Sequence, residues 1–210
     1  MGTPFARDKS SGAPVDNGPM RMFAALVPPA DALDDLEAFL EPRRDAGPDL
    51  RWTDSSLWHV TLAFMAQVPD GAVEDVLEGV AGAVAGREPA VLQCKGGGAF
   101  PSPYEARVTW VGVQGDSESL QSLAALSRAV RLACARAGGA PAGGPFVPHL
   151  TLARSRRPFE ATRWLRVLES YEGPDWDASE VTLFASHTRP GHGRARYEPM
   201  AVLELGASKH

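Results

Sequence analysis

The sequence predicts an α+β, bilobal fold: two similar lobes of strands and helices, related by a pseudo-two-fold axis about a central groove. Three observations predict it. The stretch Leu57-Trp58-His59-Val60-Thr61-Leu62-Ala63-Phe64 returns ninety residues later as Val147-Pro148-His149-Leu150-Thr151-Leu152-Ala153-Arg154. The elements flanking each copy match in type at offsets of about 86 to 90 residues, which one chance pair of motifs does not yield. Within each half, short runs of β-formers alternate with stretches carrying apolar residues at helical spacing. A duplicated unit is expected to pack about an approximate two-fold axis, and that would bring the two motif strands to opposite sides of one cleft.

Taken in order, Arg21 to Val27 is a compact apolar run closed by Pro28-Pro29 and is expected to be a strand. Asp31 caps a helix to about Arg44, with Leu33, Leu36 and Leu40 on one side. After the first motif strand, Pro69-Asp70 opens a second helix carrying Val73, Val76, Leu77 and Val80. Ala90 to Gln93 follows as a strand, and Gly96-Gly97-Gly98 through Pro101-Ser102-Pro103 reads as a long loop. The unit then starts again. Arg107 to Val113 is a strand, and Ser117 caps a helix to about Ala137 that stops at Gly138-Gly139. The second motif strand is followed by a helix near Glu160 to Leu168, a strand at Glu180 to Ser186, a turn at Pro190-Gly191-His192-Gly193 and a last strand at Tyr197 to Leu205. Residues 1–19, polar and punctuated by Gly and Pro, read as a disordered tail ahead of a single domain over 20–206.

Composition narrows the function. The 44% hydrophobic content suffices for an ordinary soluble core. The longest small-apolar segment, Val76 to Gly86, is too short to span a bilayer and contains Glu78, so no membrane partner is expected. Cys94 and Cys134 form neither a C-x-x-C pair nor a disulfide framework, which fits a reduced, cytoplasmic protein. A net charge of −5 argues against a protein that coats nucleic acid. The charge is unevenly spread: residues 1–105 carry 8 Lys and Arg against 16 Asp and Glu, and 106–210 carry 13 against 10. Arg154, Arg156, Arg157, Arg163 and Arg166 cluster after the second motif. They are either a solvated helix face balanced by Glu160 and Glu169 or a local field that draws in a small anion.

On a strand, residues two apart share a face, so His59 stands beside Thr61 and His149 beside Thr151, while Val60, Leu62, Leu150 and Leu152 face a core. Ala63 and Ala153 are expected to extend the His/Thr face and leave room for a ligand. Two imidazoles across a cleft suit a reaction in which one proton is removed while another is delivered, because each titrates near neutral pH. The two hydroxyls can donate to a phosphoryl oxygen between them. One His-x-Thr is weak; two copies in equivalent places of a repeat favour chemistry over structure. A zinc site is the rival, yet neither motif supplies His-x-x-x-His spacing or a neighbouring carboxylate or Cys. Neither metal nor cofactor is expected.

These motifs, with Arg21-Met22-Phe23, the Gly98 to Pro103 segment, Arg107 to Val113, Leu183 to Ser186 and Tyr197-Glu198, resemble the 2H phosphoesterases. The details resemble their RNA 2′,3′-cyclic phosphodiesterase branch, also called 2′-5′ RNA ligase. The resemblance implies a bilobal α+β fold with an antiparallel sheet in each lobe lining the groove. It implies that His59 is the general acid for the departing 3′ oxygen, that His149 activates water, and that Thr61 and Thr151 bind phosphate oxygens. Arg154 is similar to an arginine that follows the second motif in that family, although simple alternation puts it on the face opposite His149, so something must redirect it. Phe23 and Phe100 are candidates to stack on a base, against the competing reading of core aromatics. Trp58 is a rim or core residue, and His187 and His192 are surface residues. The substrate is an RNA end or a small cyclic phosphate, with no obligatory protein partner and a monomeric chain. The alternatives are a related enzyme for a cyclic nucleotide or ADP-ribose cyclic phosphate, and a non-catalytic RNA-end binder.

Overall fold

The computed structural model describes residues 19–46, 50–187 and 196–206. The expected tail, except Pro19, and the turn at 190–193 with His192 lie outside the described residues. Nine strands and four α-helices are described, in the order β1 (Met20–Leu26), α1 (Ala30–Leu40), β2 (Arg51–Trp52), β3 (Val60–Val68), α2 (Val73–Val84), β4 (Ala90–Phe100), β5 (Ala106–Gln114), α3 (Ser117–Arg136), β6 (His149–Phe159), α4 (Thr162–Glu169), β7 (Glu172–Ala178), β8 (Glu180–His187) and β9 (Arg196–Glu204). Among the described residues no helix is long and apolar enough to cross a membrane.

Every strand pairing is antiparallel, and the spatial order is β7-β4-β5-β6-β3-β1-β8-β9, with β2 against the edge of β6. The two motif strands lie at the centre, where β3 and β6 meet at one pair, Val60 with Leu150. One lobe is β3-β1-β8-β9 and the other is β7-β4-β5-β6. The lobes are not the two halves of the sequence. β4, from the first half, pairs with β5 of the second, and β8, from the second half, pairs with β1 of the first. Each repeat thus lends a strand to the other, so neither half of the chain closes a sheet alone.

Local chemistry explains where the elements begin and end, and where expectation missed. β1 is buried from Met22 to Leu26 and ends before Pro28-Pro29. α1 starts without a side-chain cap on Pro29; Asp31 sits in its first turn and accepts from the Ala32 N–H at 2.9 Å, and the helix gives way to a 3-10 turn over Glu41–Ala46. α3 is capped by Asp116, one residue before the expected Ser117, through a 2.7 Å bond from the Ser119 N–H. The expected loop from Gly96 is strand as far as Phe100. Gly98 lies directly across from Trp110, and a Cβ there would stand 1.9 Å from the indole, so glycine makes room for the ring. β7, with its Glu, Asp and Pro content, carries no strand signal. It forms because Trp176 and Ala178 plug the core from an acidic edge.

Candidate active site

The site is built at the meeting of β3 and β6. Val60 and Leu150 are fully buried, so His59 and Thr61 on one strand, and His149 and Thr151 on the other, turn to the opposite face, where all four are half-buried. Because the pair is antiparallel and centred on Val60 and Leu150, the two motifs run past one another about the pseudo-two-fold axis.

Each motif strand then carries one extra residue. In β3 the pairing with β1 steps from Thr61 opposite Ala25 to Ala63 opposite Ala24, and in β6 the pairing with β5 steps from Thr151 opposite Trp110 to Ala153 opposite Thr109. The bulged residues are Leu62 and Leu152. Their carbonyls leave the ladder and find other donors: Leu62 O accepts from Ser127 Oγ at 2.8 Å and Arg131 Nε at 3.1 Å, and Leu152 O from the Thr53 N–H at 2.8 Å. Each bulge reverses the alternation. Ala63 and Ala153 are therefore 1% and 0% exposed, in the core instead of extending the His/Thr face. Phe64 and Arg154 take their places. The bulge is what redirects Arg154, whose charge acts on both His59 and His149. In the other lobe the matching Phe64 carries the Arg21 guanidinium 5.6 Å from its ring centroid.

The two imidazoles are held alike. His59 Nδ1 lies 2.7 Å from Leu57 O, and His149 Nδ1 lies 2.7 Å from Val147 O. A carbonyl only accepts, so Nδ1 carries the proton and Nε2 of each neutral ring is an acceptor. Burial, against the backbone bond, holds His59 down to about 4, with the His149 and Arg154 charges adding to it. Burial and Arg154 lower His149 as well. Both rings are neutral at pH 7 in the free protein.

Aromatic rings fix the imidazole planes. Phe23 stacks on His59 with centroids 4.7 Å apart, and Tyr197 meets the same ring edge-on at 5.4 Å. Phe100 meets His149 edge-on at 5.1 Å, with Trp110 at 5.5 Å. Phe23 is 3% exposed and also stacked on Phe184 at 5.0 Å, so it supports His59 from the core and offers no face to a base. Phe100 is half-buried. Trp58 is a core residue, and His187 pairs at the surface with Glu198 at 3.0 Å. Tyr197, Trp110 and Phe184 carry no signal of position: each is an aromatic in a strand, and only the register places Tyr197 against His59, Trp110 against His149 and Phe184 behind Phe23. Of the five clustered arginines, Arg154, Arg156 and Arg157 lie on β6 and only Arg163 and Arg166 on α4, so the single solvated helix face does not form. Among the described residues no three His, Cys, Asp or Glu side chains form a group that could hold a metal ion.

A bilobal α+β frame with paired central strands, each presenting a histidine and a threonine, defines a 2H phosphoesterase. The chain belongs to the 2′-5′ RNA ligase superfamily, whose family model matches residues 28–190. It is 26% identical over 189 residues to an RNA 2′,3′-cyclic phosphodiesterase of Methanothermobacter thermautotrophicus, covering 89% of this chain and 99% of that protein. A protein of the same name from Geobacillus stearothermophilus is 30% identical over 188 residues, covering 87% of this chain and 56% of the longer relative. Among solved structures, E. coli LigT in apo form superposes with a TM-score of 0.69 at 26% identity, over 90% of this chain and 98% of that one.

Proposed function

We propose that the protein hydrolyses 2′,3′-cyclic phosphate ends of RNA to 2′-phosphomonoesters by two-histidine acid/base catalysis. The single observation that carries this reading is the symmetric pair of imidazoles, each with Nδ1 bonded to a carbonyl and Nε2 left for the groove. The names of the curated relatives supply the substrate class.

In this reading the cyclic phosphate lies between the motifs, with Thr61 and Thr151 donating to its non-bridging oxygens and Arg154 balancing its charge. Water attacks phosphorus as His149 Nε2 takes its proton; the bond from phosphorus to the 3′ oxygen breaks, and protonated His59 gives that oxygen the proton. Both rings are neutral without ligand, so the anion must charge one of them. An imidazole that burial holds at about 4 is a strong acid once charged, which suits His59 to the leaving group. Phe100, half-buried beside His149, remains the candidate to meet the base. The same geometry serves 2′-5′ ligation when a 5′-hydroxyl replaces water. The two buried cysteines, unpaired in the fold, fit a cytoplasmic protein, and we read it as a monomer.

The test is incubation with an oligonucleotide ending in 2′,3′-cyclic phosphate, with and without excess chelator, followed by identification of the ends. A 2′-phosphate formed at the same rate in both is expected. A 3′-phosphate product, or activity lost to chelator and restored by zinc or manganese, would sink the assignment.

A further inference from the structure

Beyond the catalytic groove, four arginines gather at the point where β2 takes over the edge of β6. Arg51, Arg154, Arg156 and Arg157 line an open groove of about 680 Å³, together with Ser155, Pro158 and Phe159. None of these lining residues is acidic, and among the described residues none of the four guanidinium groups has a carboxylate within ion-pair distance. Arg51 and Arg154 are direct cross-strand partners. Like charges placed so oppose the pairing of the strands, unless something of opposite charge lies between them.

The frame under these side chains is built and held. Between Val108 opposite Arg154 and Ala106 opposite Phe159, β6 leaves the ladder. The excursion is pinned by Ser155 Oγ donating to Arg157 O at 2.6 Å, the Arg157 N–H donating to Ser155 Oγ at 3.3 Å, and Arg107 Nη1 donating to Arg156 O at 3.2 Å. Arg154 links this groove to the catalytic centre: it lines the groove, it follows Thr151 on β6 across the bulge, and its charge acts on His59, His149 and Tyr197. On a chain of net charge −5, a patch of this kind is a local field and not general basicity.

We propose that this arginine groove is a second phosphate subsite, which takes the phosphodiester adjacent to the one hydrolysed. This rests on the reading of the central site as a cyclic phosphodiesterase for RNA ends and adds the contact that holds the chain beyond the cyclic phosphate. Guanidinium forks match phosphate oxygens in pairs, and a polynucleotide end carries a second phosphate at a fixed distance from the first. Arg154 stands between the two phosphates, and Arg51 and Arg156 engage the outer one.

The experiment compares kcat/KM for a nucleoside 2′,3′-cyclic phosphate, the same compound bearing a 5′-phosphate, and a trinucleotide ending in 2′,3′-cyclic phosphate, at two salt concentrations, for the parent and R51Q/R156Q. The expected result is a preference of tenfold or more for the trinucleotide over the unphosphorylated mononucleotide. That ratio should shrink in high salt, because a contacted phosphate releases counterions, and fall toward one in the double variant. A parent with no preference overturns the inference, and so does a ratio that the variant leaves intact. Should the variant fold poorly, the parent alone decides: identical salt dependence for trinucleotide and mononucleotide is equally fatal. The 5′-phosphate of the mononucleotide stands where the adjacent phosphodiester would, so it should recover much of that preference; a gain in the trinucleotide that the 5′-phosphate does not share would place the contact beyond the adjacent phosphate and overturn the inference. Absence of turnover on all three substrates would instead bring down the proposed function, and this inference with it.

Discussion

Thr61 and Thr151 give the sharpest residue-scale tests of the site, because a Val in place of either keeps the β-branched shape and removes only the hydroxyl. Each change is expected to cost about 1.5 to 3 kcal/mol of transition-state binding, the range for a hydrogen bond to a charged group, with an unchanged melting temperature. Two variants as fast as the parent would remove the phosphate-binding role. His59→Ala and His149→Ala should each lower the rate by about 10² to 10⁴. A substrate whose leaving group needs no proton should partly rescue the first and leave the second unaided; equal rescue would mean that the acid and the base are not divided in this way. Read from the sequence alone, two ordinary histidines give pH limbs near about 6.5. Burial of both imidazoles moves the limbs of kcat/KM below that value, His59 furthest. Both histidine/threonine pairs were legible because a repeat marks them twice. The shift was not, since it depends on what the fold packs around the rings.

At the scale of elements, two bulges decide what the site contains. Period-two alternation places the His and Thr of each motif on one face, and it also places Ala63 and Ala153 there and Arg154 behind. The one-residue insertions at Leu62 and Leu152 invert the last two of those placements. Nothing in a Leu-Ala dipeptide announces a bulge; its donors are Ser127 and Arg131 from α3 and the Thr53 N–H, distant in sequence. The glycine run of β4 misleads in the opposite sense, because Gly97 and Gly98 make room for Leu168 and Trp110 and Gly96, at φ +73°, serves a bulge within the strand and not a turn. Gly98→Ala would drive a methyl group into the Trp110 indole, which touches His149 and Phe100. We expect a loss of about 1 to 3 kcal/mol in stability, as for an overpacked core. A fall in kcat larger than that of a distant variant of equal stability should accompany it, because the displaced indole moves His149. A Gly98→Ala variant with parental melting temperature and kcat would show that the indole has room to spare.

For the molecule as a whole, the exchange of β4 and β8 between lobes makes the groove a property of the complete chain: the offsets in the sequence exposed the repeat, but an offset does not say which sheet a strand joins. The same assembly is what buries the histidines, and it leaves a signature in stability. In the unfolded chain His59 titrates near 6.5, whereas in the fold burial holds it to about 4. Between those values the unfolded chain binds a proton that the folded one does not, so stability falls as the pH is lowered through 6.5 toward 4. His149 is shifted in the same direction and adds to the effect. Carboxylates contribute their own acid sensitivity, and a His59→Gln variant, which lacks the titrating ring, separates the two. The melting temperature of the parent should drop more steeply from pH 7 to pH 4.5 than that of the variant. Inorganic phosphate should narrow the gap, because an anion between the rings favours the imidazolium and raises its pKa. It should therefore bind with uptake of a proton near pH 6, measurable by calorimetry in buffers of different ionisation enthalpy. Parallel melting curves for parent and variant, together with phosphate binding that takes up no proton, would mean that the imidazoles keep their ordinary pKa in the groove, and the account of how the anion charges the acid would have to be abandoned.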